Sequence, residues 1–347
     1  PRLAMTPENF TALRSHEIDG RVHSRLDRLS IDDLSSGDVL VRARYAGINY
    51  KDCLAILGRA RIITTFPRIA GIEAVGEVIA SQSTRFEVGQ MVMVHGFQTG
   101  IAFDGGFSEV LRVPEDHLQT VPMGLTPYEA AVLGVPGFTV AMALEKFEAL
   151  GMTPDSGPVA VTGAGGAVGM LAIAILSKAG YRVAAITRKM ERADELRLLG
   201  AHDVIDASVL NEPQRPLEKA RFAAAIDNVG GPMLSWLLRS MMDGGRVASV
   251  GNASGNAFDG SVLPFIMRRV QLFGVVANAP WTDRHRLWHR LADELKPNFD
   301  ALAAHVGTVE LGSVLTHAER QLDGRTSGRT LVDFAGGEGA IGPVGRN

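Results

Sequence analysis

The sequence predicts an α/β protein, a doubly wound parallel sheet beside a second, β-rich domain. Three observations lead there. Between residues 158 and 250, apolar strand-like runs alternate with helical stretches of about ten residues. The first of those runs ends in a glycine-rich turn that opens a helix. Before Thr126 the chain instead reads as short β-rich runs punctuated by glycine, the pattern of a small barrel. A length of 347 residues accommodates two domains at about 150 residues each.

Composition excludes several classes. With 46% hydrophobic and 21% charged residues the chain is globular, not disordered, collagenous or coiled coil. A formal net charge of −3 provides no global basic field, so neither nucleic acid nor an anionic membrane is an expected partner. The lone cysteine, Cys53, rules out an intrachain disulfide and a multi-cysteine zinc site, and it suits a reducing, cytoplasmic compartment. The first residues lack the basic start and apolar core of a signal peptide. Residues 158–176 are uncharged and long enough to span a bilayer, but four glycines and a β-rich start read as a buried strand, turn and helix.

In chain order, residues 39–46, 70–78 and 90–94 read as strands, and Gly105 and Gly106 turn into another ending near Val113. Thr126, Pro127 and Glu129 form a helix start: N-cap, proline in the first turn, and an acid to complete a capping box. Strands follow at 158–162, 182–187, 204–206, 223–228 and 245–250, with helices at 168–179, 190–199 and 232–242. Residues 283–295 form an amphipathic helix, 330–334 a last strand, and 336–347, with five glycines, a flexible tail. The expected division is 1–125 with 275–335 as one domain and 126–274 as the other.

The strongest local signal is the run VAVTGAGGAVG over residues 159–169. Its glycines, Gly163, Gly166 and Gly169, follow GxxGxxG spacing. Small residues let the backbone approach a pyrophosphate, and the helix start supplies unpaired N–H groups. Gly163, Gly165, Gly166, Ala167 and Val168 are therefore expected at a dinucleotide. The next strand ends in Thr187, Arg188 and Lys189, with no acid before Glu191. An acid there would bond the ribose 2′-hydroxyl of NAD, whereas a hydroxyl and two cations suit a 2′-phosphate, so NADPH is expected over NADH. Asn228, Val250 and Gly251 close two further strands and are expected to face the cofactor, ordinary loop glycines being the other reading.

Several motifs together resemble the medium-chain dehydrogenase/reductase superfamily, most closely its acrylyl-CoA reductase branch among quinone-oxidoreductase-like proteins. They are Ile48-Asn49-Tyr50-Lys51-Asp52, Phe66-Pro67, Gly71-Ile72-Glu73, the glycine turn, residues 264–274 (PFIMRRVQLFG) and Gly328-Arg329-Thr330-Leu331-Val332. The resemblance implies a Rossmann domain plus a GroES-like, β-rich catalytic domain. Zinc-dependent relatives carry Cys at the position of Asn49 and His at that of Ile72, so no catalytic zinc is expected. Zinc-free relatives point to NADPH-dependent reduction of a C=C bond conjugated to a carbonyl or thioester. A quinone reductase and a non-catalytic NADPH-binding protein are the alternatives.

The resemblance makes Asn49, Tyr50 and Lys51 the catalytic candidates, Asn49 through its amide and the other two as donors of a bond or proton. It places Thr139 and Asn278 beside the nicotinamide and one of Arg268 and Arg269 at the substrate or cofactor. Arg59, Arg61 and Arg68 are the cationic group available to CoA phosphates. The sequence departs from the branch at Ala70, Glu73, Gly134-Val135-Pro136-Gly137 and the apolar loop 95–104, which is expected to shape the substrate pocket. Relatives dimerise by joining sheet edges, and the apolar run 270–276 is the expected edge of a homodimer.

Overall fold

The computed structural model describes residues 7–334, so the tail expected at 336–347 lies outside the described residues. The chain opens with β1 (Phe10–Ile18) and β2 (Arg21–Leu29), followed by β3 (Val39–Ile48), α1 (Tyr50–Ile56), β4 (Arg68–Ile69), β5 (Glu73–Ser81), β6 (Met91–His95), β7 (Val110–Val113) and β8 (Leu118–Thr120). The β1–β2 hairpin is absent from the sequence reading because β2, RVHSRLDRL, leaves its charges on the surface and shows little apolar alternation. Helix α1 is likewise unforeseen in a region read as strands and turns. Asn49 N-caps it, and Asp52 at the third helical position accepts the Asn49 N–H at 3.0 Å. Strand β5 begins three residues later than expected because Ala70 and Gly71 give their carbonyls to Phe107 and Gly106.

Helix α2 (Pro127–Ala149) carries the predicted cap: Thr126 Oγ1 accepts from Glu129 N at 3.2 Å, and Glu129 accepts from Thr126 N at 2.7 Å. The alternating region follows with β9 (Val159–Thr162), α3 (Ala167–Lys178), β10 (Val183–Thr187), α4 (Ala193–Leu198), β11 (Ala201–Asp206), β12 (Phe222–Asp227), α5 (Gly231–Ser240), β13 (Met241–Ser249), α6 (Leu263–Arg268) and β14 (Gln271–Gly274). The chain closes with α7 (Trp281–Ala292), α8 (Phe299–Ala303), β15 (Val306–Val309), α9 (Val314–Leu322) and β16 (Arg329–Asp333).

The six-stranded sheet has the order β11-β10-β9-β12-β13-β14, and every pairing in it is parallel. The order reverses between β9 and β12, which opens a crevice beyond their carboxyl ends. Central strand β12, FAAAID, is buried along its whole length, as a strand covered on both faces must be. Strand β14 lies at one edge. The other large sheet runs β15-β16-β3-β5-β6-β8, with β7 also paired to β3. The last strand thus returns to pair antiparallel with β3.

Helix α2 joins the two halves. Val132, Leu133, Phe138, Val140, Leu144 and Phe147 are fully buried, each stabilising the fold by about 1.5–3 kcal/mol. It is long and apolar enough to cross a membrane, but 78% of that stretch is buried within the protein, as in a core helix. The helix breaks at Gly134, whose backbone (φ 42, ψ −147) is not helical. Pro136 reinforces the break by lacking an N–H.

Candidate active site

The break in α2 faces a buried polar cluster contributed by β3, α1, β5 and β16. Asn49 Nδ2 donates to Glu73 Oε1 at 2.7 Å and to Asp52 Oδ2 at 3.2 Å. Arg329, fully buried, donates through Nη2 to Glu73 Oε1 at 2.6 Å and through Nη1 to Asn49 Oδ1 at 3.3 Å. Gly47 and Gly134 leave the room this cluster needs, since a Cβ at either position would overlap Glu73. Asp52 also accepts the Ile72 N–H at 3.0 Å, and burial pushes its carboxyl up to about 7 despite those bonds.

This geometry corrects the role expected of Asn49. Both amide hydrogens are taken by carboxylates, so Asn49 has none left to donate to a substrate. A lone pair on Oδ1 is what remains. Tyr50 and Lys51, on the first turn of α1, are exposed and without a side-chain partner among the described residues.

The glycine turn lies where the sequence placed it, between β9 and α3. Gly163 is left-handed (φ 59), and a Cβ on Gly169 would strike the Gly163 carbonyl. A Cβ on Gly165 would meet nothing, so open space borders the turn. Gly166 is the N-cap and has no side chain, leaving the first N–H groups of α3, at Ala167, Val168 and Gly169, free for an anion. Nearby Thr162 Oγ1 donates to Asp227 Oδ1 at 2.7 Å. Asn228 is anchored by Nδ2 on the Thr162 carbonyl at 2.8 Å, and its buried Oδ1 has no partner. Val250 and Gly251 both donate backbone N–H to the Asp227 carbonyl, which brings the β13 turn beside Asn228. A dinucleotide fits these groups: an open cradle, an uncapped helix start and an orphaned acceptor.

At the end of β10, Thr187 is buried and its hydroxyl accepts the Lys189 N–H at 3.0 Å. Arg188 is exposed. Lys189 reaches the carbonyls of Gly324 at 3.3 Å and Thr326 at 3.2 Å. The segment so held continues to Gly328, whose N–H donates to the Gly165 carbonyl at 2.7 Å. This crossing of the glycine turn by the last loop was not foreseen. Thr139, in the second half of α2, is buried and donates to the Val135 carbonyl at 2.8 Å.

The chain matches the profile of the alcohol dehydrogenase GroES-like domain over residues 35–123 and that of the zinc-binding dehydrogenase domain over residues 167–293. It is 37% identical to the acrylyl-CoA reductase AcuI of Ruegeria pomeroyi, over 94% of this chain and 98% of that protein. It is 38% identical to the putative quinone oxidoreductase YhfP of Bacillus subtilis, over 83% and 88% of the two chains. The Salmonella enterica YhdH oxidoreductase, crystallised with NADP, superposes with a TM-score of 0.88 at 37% identity, over 93% of this chain and 99% of that one. The chain belongs to the medium-chain dehydrogenase/reductase superfamily. These relatives place it in the acrylyl-CoA reductase and quinone-oxidoreductase-like branch.

As a medium-chain reductase with a match to a zinc-binding profile, the chain can be tested for a zinc site. The residues do not fit one. Asn49 is a neutral amide, and Glu73 already has a guanidinium on one oxygen and the Val135 N–H on the other, at 2.8 Å. No group of three His, Cys, Asp or Glu among the described residues could hold a metal ion.

The structure also moves Arg268 and Arg269 away from the cofactor. Arg268 donates to the carbonyls of Arg239 (2.8 Å), Met241 (3.0 Å) and Glu218 (2.6 Å), and Arg269 pairs with Asp243. Met241 and Asp243 open β13, so both arginines lie at the amino edge of the parallel sheet, opposite the glycine turn. Arg68 is taken by Asp104 at 3.1 Å, while Arg59 and Arg61 are exposed. Sequence reasoning missed Asp52, Arg329, His95 and Arg284 as structural parts of the site. A charged residue flanking an apolar run, as Glu73 and Arg329 do, was the available signal, but it does not name the partner.

Proposed function

We propose that this medium-chain reductase is an NADPH-dependent enzyme that reduces an activated C=C bond, in acrylyl-CoA or a related enoyl thioester or enone, without zinc. The observation that carries the reading is the adjacent pair Gly328 and Arg329. The first bonds the glycine turn and the second bonds Asn49 and Glu73, so one dipeptide ties the cofactor cradle to the candidate catalytic residues. The kinship to an acrylyl-CoA reductase and to a structure containing NADP supports it.

In this reading Gly163, Gly165, Gly166, Ala167 and Val168 hold the pyrophosphate, and Thr187, Arg188 and Lys189 receive the 2′-phosphate. Thr139, Asn228, Val250, Gly251 and Asn278 surround the nicotinamide half. Bound NADPH supplies the hydride to the β-carbon. Negative charge then grows on the substrate carbonyl oxygen, and unpaired donors must meet it. The Tyr50 hydroxyl and Lys51 ammonium are the free donors beside Asn49, and either can also hold the proton destined for the α-carbon. Asn49 orients, as an acceptor, within the Glu73–Arg329 cluster.

Quinone reduction is the second reading, favoured by the name of the YhfP relative and by the apolar loop after β6. We further propose a cytoplasmic homodimer joined at β14, which pairs with β13 on one side only. Exposed Val262, Ile266, Met267 and Val276 precede and follow that strand in the chain. The domain limits proposed are 1–125 with 275–335, and 126–274.

The deciding experiment follows NADPH oxidation with acrylyl-CoA, crotonyl-CoA, a simple enone and a benzoquinone in parallel, then repeats the best acceptor with NADH. Selective turnover of a CoA ester supports the thioester reductase. Turnover of benzoquinone alone replaces it with the quinone reading, and equal rates with NADH refute the cofactor preference.

A further inference from the structure

Arg284, on the first turn of α7, is 1% exposed and has no carboxylate partner among the described residues. A buried cation without an anion is costly, so its surroundings must compensate. Its guanidinium lies 4.2 Å from the Phe97 ring centroid and 5.6 Å from those of Phe138 and Trp281, a cation–π cage. Its N–H groups go to the carbonyls of Ala279 (2.9 Å) and His95 (3.0 Å) and to Asn278 Oδ1 (2.8 Å). His95 adds no positive charge. Trp288 Nε1 donates to its Nε2 at 2.9 Å, and burial with the Arg284 charge pushes its pKa down to about 3.

The cage holds a strained turn. Gly96, Phe97 and Gln98 are consecutively left-handed, with φ of 76, 52 and 63. Outside glycine that conformation is uncommon and persists only where its surroundings impose it. Phe97 stacks with His117 (4.8 Å) and with Trp281 (5.3 Å), and Arg284 lies over its ring. A Cβ on Gly96 would crowd Arg284 Nη2, at 2.5 Å. The Gln98 carbonyl then gathers the N–H groups of Ile101, Ala102 and Phe103. The turn begins one residue after His95, which pairs with Glu73 across β5 and β6. It therefore borders the Asn49–Glu73 cluster, and Arg284 links it to Asn278.

We propose that Arg284 is a positioning residue, aiming the Asn278 amide and holding the Gly96-Phe97-Gln98 turn as one wall of the substrate pocket. The inference rests on the reductase reading for its substrate. With Oδ1 turned to the guanidinium, Asn278 presents its Nδ2 hydrogens on the other side as directed donors. No carboxylate competes for the cage, so the wall keeps its shape through directed bonds to carbonyls and an amide.

The test compares Arg284→Met and Arg284→Lys with the parent chain. Arg284→Met is expected to raise KM for the best acceptor about tenfold or more, the effect of one lost charge-assisted bond. Because the phosphate-binding turn is on other elements and Asn278 bears only on the nicotinamide end, Kd for NADPH should weaken by a smaller factor than KM for the acceptor rises. Arg284→Lys keeps the charge, folds, and falls between the two. Amide hydrogen exchange should speed up in 96–103 and not in α3. An unchanged acceptor KM, or exchange that speeds up equally in α3, would overturn the proposal. Should the parent chain turn over no acceptor, the reductase reading fails, while the exchange pattern still decides whether Arg284 holds the turn.

Discussion

Glu73 and Arg329 cap the two sides of one broken helix. Glu73 Oε2 accepts the Val135 N–H at 2.8 Å, at the start of the second half of α2. Arg329 Nη2 donates to the Ala131 carbonyl at 3.0 Å, at the end of the first half. The two side chains meet at 2.6 Å, and both are buried. The ion pair satisfies the backbone groups that the break leaves open, and it thereby positions Thr139 and the rest of the second half.

Removing one member of this pair leaves the other charge buried. Glu73→Gln is expected to cost about 3–5 kcal/mol in urea unfolding. The double variant Glu73→Gln with Arg329→Met should cost less than the sum of the singles. Additive losses would show that the two residues do not act together.

Asp52 and His95 should give opposite pH dependences. Asp52 is raised from 3.8 to about 7 by burial, so the native state keeps a proton that the unfolded chain releases. Its contribution to stability falls as pH rises through that window. His95 is lowered from 6.5 to about 3, so the unfolded chain takes a proton that the native state refuses. Its contribution falls as pH drops below 6.5. The two slopes oppose each other between about pH 4 and 6.5, each bounded by about 1.4 kcal/mol per pH unit. Asp52→Asn should leave stability rising with pH across this window, and His95→Gln should leave it falling. Urea midpoints across the window check both signs, and parallel profiles would refute the assignment.

Gly165 and Gly169 should separate binding from folding. Gly165→Ala adds a methyl group to open space, so Tm should hold while NADPH binding weakens about tenfold or more, if the pyrophosphate occupies that space. Gly169→Ala places its Cβ against the Gly163 carbonyl and should lower both Tm and affinity. Calorimetric titration and thermal melts read the two effects, and unchanged affinity in Gly165→Ala would place the phosphates elsewhere.

Arg188→Ala should reduce the preference for NADPH over NADH by about tenfold, with NADH kinetics little changed. Arg268→Ala should instead leave that preference alone. It loses three backbone carbonyl contacts, so stability drops while NADPH affinity stays within about twofold. Loss of NADPH affinity in Arg268→Ala at full stability would restore the cofactor role that the sequence reading gave to this motif.

Local chemistry made much of this protein legible in advance. The cap at Thr126 and Glu129, the strand–turn–helix around Gly163, and the edge strand within 270–276 depend on neighbours in sequence, and each lies where the pattern placed it. At Asn49 the resemblance supplied the reading, and the local signal went unused. The spacing of Asn49 and Asp52 is a capping box, a structural signal within a motif read only for chemistry. Arg268 and Arg269 were placed by resemblance, and nothing in their spacing says at which end of the parallel sheet they lie.

The sequence by itself determined the fold class, the glycine cradle and the absence of an acid at the end of β10, because these follow from periodicity, steric size and charge within short windows. Only the tertiary structure decided that Glu73 meets Arg329, 256 positions away, that Arg284 meets His95 across 189, and that Gly328 lies on Gly165. The buried polar groups among these had to find partners. Which partner it found depends on how α2 packs between the two sheets, and no local pattern in the chain encodes that.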